Sequence, residues 1–522
     1  MCYSECRASA CRGRLGKTMN DIKKLKYFIN GQWKESVTGN YYDITDPSAG
    51  ETIALAPRCS QAEVESAIAA AQNAFPAWSE TPVMKRVQML FRFRELIVGH
   101  LEELTMILCR ENGKCWDEAQ GDILKAKEAV EFACGVPNLM KGESLMNASA
   151  GHDTVSCREP LGVFAGIAPW NFPAMIPIGW FVPLCIATGN TMVLKASSLT
   201  PMTAMRMIEL MQKAGLPEGV VNLVTCGRAE AELLLKHPDV SGVSFVGSTS
   251  VGKHIFATAA GHGKRVQALC EAKNHCLVLA DAPLERTALG IINATYGCAG
   301  ERCMALPVVV AQAEIADDLV ACLKKLAEKR KIGPAYDKTS ELGPLVSKEH
   351  KDSVIKWIEK GIQEGADLVL DGRNVKVKGC ENGYFLGPSI FDKVSPDMTI
   401  GQEEIFGPVT CVKRVKNFEE GLAIMNANRF ANGSVIYTRS GHYAREFARR
   451  THAGMVGINV GIPVPIGLFP FSGHKQSFFG DLHVLGRDGL NFYTETKCVT
   501  SRWFDEAELK RKKMDTWDGM AG

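Results

Sequence analysis

The chain has 522 residues, of which 46% are hydrophobic and 23% are charged, and its formal net charge is +2. This length exceeds what one hydrophobic core normally supports, so we expect two or three domains. The near-neutral charge offers no basis for binding nucleic acid or a membrane surface. No apolar run reaches the roughly 18 residues that a membrane-spanning helix needs, so the composition predicts a soluble protein.

The 18 cysteines are spread along the chain without CxxC pairs or His-rich spacing. That distribution fits neither a disulfide scaffold nor a zinc site, and it indicates reduced thiols, no metal and a cytoplasmic location. Residues 1–18 are rich in Arg and Cys and nearly free of acidic residues. We interpret them as a disordered extension upstream of an alternative start at Met19; read as a transit peptide, they would indicate the mitochondrial matrix.

Two helical stretches come first in the chain. Ser60 and Glu63 stand in capping-box register before apolar residues at helical spacing, and residues 83–110 continue a helical pattern. From about residue 160, short β-rich runs alternate with the helical stretches 201–214 and 228–236; these runs are LGVFAGIAP, TMVLKAS, GVVNLVTCG and VSGVSFVGS. This alternation predicts βαβ units and a parallel sheet, with ligands outside the carboxyl ends of the strands.

A second alternating series starts near residue 270 and predicts a second α/β domain. Its helices are expected at 284–297 and 314–330, and its strands are CLVLAD, PVVVAQ, SVIYTR and AGMVGINV. The tail GLNFYTETKCVTSRW has the alternating character of an extended strand. An exposed edge of that kind usually pairs with another strand, often from a second subunit.

Three motifs near strand ends suggest a nucleotide site. Asn171 in APWNFP follows a strand and can direct its amide at a developing oxyanion, while Lys195 in VLKAS can meet a ribose or phosphate. Gly247 and Ser248 in FVGSTSVG lie at a strand-to-helix turn, where backbone amides and a hydroxyl can bind phosphate. Taken alone, APWNFP is better explained as an ordinary turn and Lys195 as a solvated lysine, whereas a packing turn explains FVGSTSVG as well as a phosphate site does.

Two further motifs carry a carboxylate and a thiol. Glu404 and Phe406 in EEIFGPV are suited to holding a ribose and covering a flat ring, although a surface turn explains them equally well. In GCAGERCM, the Arg302 guanidinium would favour the thiolate of Cys303, the nucleophilic form. No motif is specific by itself, so their order and spacing must decide.

In chain order, these motifs closely resemble the NAD(P)-dependent aldehyde dehydrogenase superfamily from about residue 26 to 503. Four segments resemble the methylmalonate/malonate-semialdehyde dehydrogenase branch of this superfamily, which produces an acyl-CoA. These segments are GERCM, GMVGINVGIPVPIG, FPFSGHKQSFFGD and FYTETKCVTSRW. The resemblance implies an α/β fold with two parallel-sheet domains and a small β oligomerisation element, assembled as a homodimer or homotetramer.

The implied domain boundaries follow the family pattern. They are an NAD-binding domain at 19–138 and 158–266, a catalytic domain at 267–475, an oligomerisation element at 139–157 and 476–505, and a C-terminal tail at 506–522. The resemblance also implies that the Cys303 thiolate attacks the aldehyde, that Asn171 and the Cys303 N–H hold the oxyanion, and that a hydride passes to NAD. The cofactor-binding positions that it implies are Ala168, Trp170, Lys195, Ser198, Gly247, Ser248, Glu404 and Phe406.

Departures from the family pattern refine the expected reaction. Hydrolytic members carry a glutamate base where LCEAK has Leu269, and a leucine cannot accept a proton, so release by coenzyme A is expected. In a strand, Glu271 would share a face with Leu269 and would be placed to replace the base. The alternative is therefore a hydrolytic enzyme, for example one acting on succinate semialdehyde. A catalytically reduced paralogue is a third possibility.

Other departures concern the cofactor and the substrate carboxylate. Ser198 replaces the glutamate expected at the adenine ribose and Leu199 replaces an arginine, so NADP could be tolerated beside NAD. Lys125 stands where the branch has an arginine for the substrate carboxylate, and lysine cannot form the two-pronged clamp. Arg302, the other expected carboxylate ligand, is present.

Overall fold

The computed structural model describes residues 22–149 and 151–510. The predicted N-terminal extension 1–18 therefore lies outside the described residues, as does most of the predicted tail 506–522. Two large sheets, each flanked by helices, make up most of the described chain. No helix in this described part is long and apolar enough to cross a membrane.

The strands are numbered in chain order. They are β1 (Lys23–Lys24), β2 (Tyr27–Ile29), β3 (Gln32–Lys34), β4 (Tyr41–Asp46), β5 (Glu51–Pro57), β6 (Ser144–Ser149), β7 (His152–Pro160), β8 (Val163–Ile167), β9 (Thr191–Lys195), β10 (Val221–Val224), β11 (Val240–Val246), β12 (Arg265–Leu269), β13 (His275–Val278), β14 (Val308–Gln312), β15 (Asp367–Leu370), β16 (Ser389–Asp392), β17 (Val409–Val415), β18 (Phe430–Ala431), β19 (Gly433–Tyr437), β20 (Met455–Ile458), β21 (His474–Lys475), β22 (Phe478–Gly480) and β23 (Thr494–Arg502).

The α-helices are numbered in the same way. They are α1 (Gln61–Ser79), α2 (Val83–Gly99), α3 (Leu101–Asn112), α4 (Trp116–Cys134), α5 (Val136–Leu139), α6 (Val182–Ala187), α7 (Met202–Lys213), α8 (Arg228–Lys236), α9 (Thr249–Gly261), α10 (Leu284–Tyr296), α11 (Ala313–Glu328), α12 (Lys348–Gln363), α13 (Phe418–Ala427), α14 (Gly441–Arg450) and α15 (Gly486–Phe492). A π-helical segment spans Met175–Phe181, and short 3-10 turns span Gly297–Gly300, Thr399–Gly401 and Glu508–Lys510.

The first large sheet has eight strands in the order β22-β12-β11-β8-β9-β10-β2-β3. Its five central strands are parallel, as the βαβ alternation predicts; β22 and β2 are antiparallel to the strands that they adjoin, and β3 is antiparallel to β2. Ile167 of β8 is in register with both Lys195 of β9 and Phe245 of β11. The segments that follow these three strands therefore leave the sheet at one edge, the usual ligand-binding edge of a parallel sheet.

The second large sheet has seven strands in the order β15-β16-β17-β14-β13-β19-β20, of which only β15 is antiparallel to its neighbour. Register pairs join His275 to Val308 and Ser434, and Val308 to Cys411. The segments that precede β13, β14, β17 and β19 therefore meet at the amino edge of this sheet. A short connection from Leu269 to His275 carries the chain from the first sheet to the second.

A third sheet is antiparallel, with the order β23-β7-β6. It contains the segments expected in the oligomerisation element, except that β22, which lies in the expected range 476–505, pairs with β12 in the first large sheet. Two predicted elements also differ in extent. The helix expected at 83–110 is interrupted at His100, whose φ of −117° is not helical, and the tail is helical up to Phe492 before β23 begins.

Candidate active site

A cavity of about 420 Å³ lies at the carboxyl edge of the first sheet. It is lined by six of the residues that the sequence analysis assigns to the cofactor, namely Ala168, Trp170, Lys195, Ser198, Gly247 and Ser248. They come from the ends of β8, β9 and β11, which the register aligns. The cavity also contains Glu232 of α8, which is hydrogen-bonded to His254 at 2.9 Å and which the sequence analysis missed.

The amino end of α9 faces this cavity. Ser248 is the N-cap residue with extended backbone geometry, and its side chain makes no capping hydrogen bond. Glu271 accepts a hydrogen bond from the Thr249 N–H at 3.0 Å, so its carboxylate stabilises the positive end of the helix. The Ser248 hydroxyl lies 3.4 Å from the Ser250 hydroxyl, and a helix N-terminus that carries two hydroxyls is suited to binding a pyrophosphate group.

Lys195 supplies a cation to the same cavity. Burial lowers the pKa of its ammonium group, and no carboxylate contributes to that pKa. Ser198 lines the cavity without bringing a negative charge, and Leu199 is partly exposed. A half-buried lysine that forms no ion pair with a carboxylate of the described residues fits an anionic or hydroxyl-rich ligand such as a dinucleotide.

Cys303 follows a strained turn before β14. Cys298 and Ala299 both have φ of 52°, and Gly300 has φ of 74°, so three successive residues are left-handed. Non-glycine residues in that region cost about 1 kcal/mol or more each, and such strain is typical of functional sites. A Cβ on Gly300 would lie 2.3 Å from the carbonyl oxygen of Gly407, so only glycine lets this turn approach the segment after Phe406.

Two asparagines that the sequence analysis missed hold the backbone at Cys303. The carbonyl oxygen of Cys303 accepts hydrogen bonds from Asn274 Nδ2 at 2.8 Å and from Asn432 Nδ2 at 3.2 Å. Asn274 precedes β13 and Asn432 precedes β19, so both come from the amino edge of the second sheet. The thiol-bearing loop is thereby fixed to the sheet at two points.

Asn171 lies against the same loop, because its Nδ2 donates a hydrogen bond to the carbonyl oxygen of Glu301 at 3.2 Å. The loop that carries Asn171 is held by a buried ion pair between Lys114 Nζ and Asp122 Oδ2 at 2.8 Å. The same ammonium lies 3.3 Å from the centre of the Phe172 ring, and Asp122 also accepts from the Met175 N–H at 2.7 Å. This support was not predicted.

Glu404 and Phe406 lie beside the loop that joins the two sheets. Glu404 Oε1 accepts a hydrogen bond from the Ala272 N–H at 3.0 Å. The Phe406 ring packs edge-on against Trp170 with ring centres 5.4 Å apart, which brings the EEIFGPV motif next to the WNFP motif. His350, also missed by the sequence analysis, hydrogen-bonds the Phe406 carbonyl through Nε2 at 2.7 Å.

The electrostatic environment of Cys303 differs from the sequence expectation. Burial, together with the nearby Glu404 carboxylate, raises the pKa of the Cys303 thiol to about 12. Arg302 and Lys114 lower the pKa of this thiol, but their effect is smaller than that of burial. Burial likewise raises the pKa of Glu404 to about 8, with Glu271 adding to the shift. The resting site therefore holds a protonated thiol rather than a thiolate.

The two residues expected at a substrate carboxylate are already engaged. Arg302 Nη2 donates to the carbonyl oxygens of Asn293 and Ala294 at the end of α10, whereas its buried Nε has no partner among the described residues. Lys125 Nζ forms an ion pair with Glu128 at 2.8 Å, and its side chain is 42% exposed. The structure brings neither side chain into contact with Cys303 through a hydrogen bond.

The base position and its neighbour also have defined surroundings. Leu269 ends β12 and is 4% exposed, so a buried apolar side chain occupies the position at which the sequence analysis expects the base of a hydrolytic enzyme. Glu271 uses its carboxylate at the N-terminus of α9, as described above. No group of three or more His, Cys, Asp and Glu residues within 22–149 and 151–510 could hold a metal ion.

A half-buried thiol on a strained loop, an amide next to that loop and a cavity at the carboxyl edge of a parallel sheet are the features of an oxidoreductase that uses a thiol and a dinucleotide cofactor. The chain belongs to the aldehyde dehydrogenase family, whose family model matches residues 33–499. This result confirms both the family resemblance and the predicted α/β fold class.

Individual relatives cover nearly the whole chain. A malonate-semialdehyde dehydrogenase of Geobacillus kaustophilus (strain HTA426) is 48% identical over 482 residues, which is 92% of this chain and 99% of the relative. A methylmalonate-semialdehyde dehydrogenase of known structure from Oceanimonas doudoroffii is 41% identical, with a TM-score of 0.91 and coverage of 93% and 99%. A proposed methylmalonate-semialdehyde dehydrogenase from Sinorhizobium meliloti 1021, solved as a complex with NAD, is 42% identical with the same TM-score and coverage.

Proposed function

We propose that this protein oxidises a malonate-type or methylmalonate-type semialdehyde with NAD and transfers the acyl group from Cys303 to coenzyme A. Loss of the carboxylate as CO₂ accompanies the reaction, and the product is acetyl-CoA or propionyl-CoA. The names of the relatives support the substrate class. The observation that carries the choice of coenzyme A over water is the buried Leu269 at the base position.

The cavity at the carboxyl edge of the first sheet fits NAD. Lys195 and Ser248 would bind the adenosine and pyrophosphate side, while Glu404 would hold the nicotinamide ribose and Phe406 would lie against the ring. The NAD complex of the Sinorhizobium meliloti relative supports this assignment. When bound, NAD supplies the hydride acceptor. Because Ser198 adds no negative charge beside the adenine ribose, we also propose that NADP is tolerated.

The first half of the reaction uses Cys303 and Asn171. The Cys303 sulfur, once deprotonated, attacks the aldehyde carbon and forms a thiohemiacetal, and loss of the hydride leaves a thioester on Cys303. Asn171 Nδ2 and the Cys303 N–H would donate to the oxyanion.

The second half requires a nucleophile that does not depend on a protein base. Water would need one, since the uncatalysed attack of water on a thioester is slow. The Leu269 side chain cannot accept a proton, and the Glu271 carboxylate is bound to the α9 N-terminus. A thiol has a pKa of roughly 8.5, so a useful fraction of coenzyme A is already ionised near neutral pH. The acyl group passes to its sulfur, and Cys303 leaves and regains a proton.

The substrate carboxylate would be bound by Arg302 and Lys125. Arg302 keeps an unpartnered buried Nε–H, which is a donor for a carboxylate oxygen. Lys125 would exchange its contact with Glu128 for the substrate, since exposed ion pairs contribute little free energy. We also propose a cytoplasmic location, because no disulfide occurs among the described residues.

We also propose the domain boundaries given in the sequence analysis. We propose in addition that the chain assembles as a homodimer or homotetramer. The long outer strand β23 and the antiparallel sheet that it forms with β7 and β6 support an oligomerisation element.

The decisive experiment follows NADH formation from malonate and methylmalonate semialdehydes, with and without coenzyme A and with NAD or NADP. We expect a burst close to one NADH per active site without coenzyme A, and steady turnover only when it is added. The acyl-CoA product is identified by mass spectrometry. Full-rate turnover without coenzyme A would contradict the proposal that the acyl group is transferred to coenzyme A.

Two variants separate the acylating reaction from the hydrolytic alternative. Glu271→Gln keeps a hydrogen-bond acceptor for the Thr249 N–H but cannot act as a base, so coenzyme-A-dependent turnover should change by no more than about threefold. Leu269→Glu restores a carboxylate at the base position and should add turnover without coenzyme A. If the wild type turns over without coenzyme A and Glu271→Gln abolishes that turnover, the protein is hydrolytic.

A further inference from the structure

A second cavity, of about 380 Å³, lies away from the cofactor cleft. It is enclosed by β17, α13 and the segments around residues 402 and 428. The polar side chains that line it are those of Gln402, Glu403, Lys413, Asn428 and Arg429. Neither the sequence analysis nor the proposed reaction gives this cavity a role.

Lys413 is the unusual residue in its wall. It occupies the middle of β17 and is only 3% exposed, so its ammonium group has almost no contact with bulk water. Its Nζ donates one hydrogen bond, to the carbonyl oxygen of Gly401 at 3.0 Å. Its side chain rests on Gly401, where a Cβ would lie 2.8 Å from Lys413 Cε. An ammonium group has three donors, so Lys413, which lines the cavity, keeps two N–H groups without an acceptor among the described residues.

The groups that face Lys413 do not neutralise it. On the same strand, Cys411 is buried and protonated at neutral pH because burial raises its pKa. On β13, which β14 separates from β17, and on the segment before β13, His275 and Lys273 are both buried bases whose Nε2 and Nζ, respectively, have no hydrogen-bond partner among the described residues. Repulsion from Lys273 adds to burial in lowering the pKa of Lys413 to about 8.

The opposite wall adds a second cation. Arg429 pairs with Glu403, the only carboxylate among the cavity-lining residues, and the Arg429 guanidinium lies 4.5 Å from the centre of the Phe430 ring. The two cations and one carboxylate leave the lining with a net positive charge. Buried charges in proteins are normally paired, so an unpaired ammonium beside an open cavity indicates a missing anion.

We propose that this cavity binds a small oxyanion, such as phosphate or a small carboxylate, with the Lys413 ammonium as its main ligand. The anion would use the free N–H donors of Lys413 and the positive field of Arg429 and Lys273. The site is independent of the catalytic proposal, although its wall continues from Gly401 through Glu403 into Glu404. Binding is therefore tested directly, without an activity measurement.

The test is calorimetric titration of the full-length protein with sodium sulfate at constant ionic strength, because sulfate stays a dianion between about pH 6.5 and 9.5, so that only the protein titrates. We expect the wild type to bind one more sulfate per chain than Lys413→Met, which removes the charge but keeps the apolar stem. Affinity at this site should fall about tenfold as the pH rises through the pKa of Lys413, since the neutral amine cannot pair with an anion. Titrations with phosphate and acetate then distinguish a tetrahedral from a planar oxyanion.

Two further variants make the result decisive. Lys413→Arg keeps a permanent charge, so it should bind sulfate with little pH dependence over the same range. Lys376→Met removes an exposed lysine elsewhere and should leave the titration unchanged. Sulfate at the α9 N-terminus would be retained in every variant. Equal stoichiometry in the wild type and Lys413→Met, or an affinity at the extra site that does not change with pH, would overturn the proposal.

Discussion

The reactivity of Cys303 depends on whether its thiol has lost its proton. Burial and the Glu404 carboxylate raise the pKa of the Cys303 thiol to about 12, so only a minute fraction is ionised at neutral pH. Because the thiolate is the species that reacts with iodoacetamide, the inactivation rate of the enzyme without ligands should rise about tenfold per pH unit from pH 7 to 9.5 without levelling off. Residual dehydrogenase activity after timed alkylation measures this rate.

Mass spectrometry of the alkylated peptides provides the control for this prediction. Cys298, five residues earlier, is also buried, and burial raises the pKa of its thiol to about 12. Cys298→Ala should therefore keep the pH profile of inactivation, whereas Cys303→Ala should lose the label together with the activity. A rate that levels off below about pH 8.5 would show that Cys303 is a far stronger acid than its surroundings indicate.

The candidate site could be predicted only in part from individual residues. The order of Asn171, Lys195, Ser248, Cys303 and Glu404 identified the family, because each motif follows or precedes a strand of one of the two sheets. The contacts of Arg302 could not be predicted in this way. Its guanidinium folds back onto α10 because that helix ends next to it, and only the tertiary structure gives the direction of a side chain after a left-handed turn.

The amide donors to the Cys303 carbonyl were missed for a related reason. Asn274 and Asn432 lie 29 and 129 residues away from Cys303 in the sequence. They meet because β13, β14 and β19 are neighbours in the second sheet, and neither asparagine stands in a motif with a recognisable chemical role. Strand order in a parallel sheet is not encoded by the local pattern of apolar residues.

At the level of elements, the start of α4 and the Asn171 loop are joined by the buried Lys114–Asp122 pair. Removing one partner of a buried ion pair leaves an uncompensated charge and typically costs about 3–5 kcal/mol. Lys114→Met should therefore lower the midpoint of thermal unfolding by several degrees, and kcat should fall because Asp122 no longer positions the loop through Met175. Scanning calorimetry and steady-state kinetics test the two effects.

The matched control for this substitution is an exposed ion pair. Lys348 and Asp352 are 2.9 Å apart on α12, with side chains 68% and 48% exposed. Such pairs contribute at most about 0.5 kcal/mol, so Lys348→Met should leave the unfolding midpoint nearly unchanged. Equal losses in Lys114→Met and Lys348→Met would show that the buried pair has no special role in the stability of the protein.

The predicted strands agree closely with those of the structure where both faces of a strand are buried. Each of the four runs after residue 160 contains a strand of the first sheet, and α8 has the expected limits. The prediction of strand pairing and of helix ends was less accurate where tertiary contacts determine them. The pairing of β22 with β12 joins residues more than two hundred positions apart, and the break at His100 lies in a stretch whose helical periodicity continues on both sides.

On the scale of the whole molecule, the third sheet presents apolar side chains to solvent. Val155 of β7 and Val499 of β23 are directly opposite each other in register and are 45% and 48% exposed. Leu145 and Met146 of β6 and Trp503 beyond β23 are 63%, 73% and 68% exposed. Apolar side chains concentrated on one sheet with open outer strands are typical of a surface that a second protein covers.

We expect this surface to join copies of the chain, and charges placed on it should separate them. A Val499→Asp and Trp503→Asp double variant would have to bury two carboxylates at the contact, which is strongly unfavourable without partners. Light scattering after size exclusion should then give the 56.9 kDa mass of one chain, against a multiple of that mass for the wild type. Val37→Asp, at a residue that is 85% exposed in another part of the molecule, should keep the wild-type mass. A wild-type protein that is already monomeric, or a double variant that keeps the larger mass, would exclude the third sheet as the assembly surface.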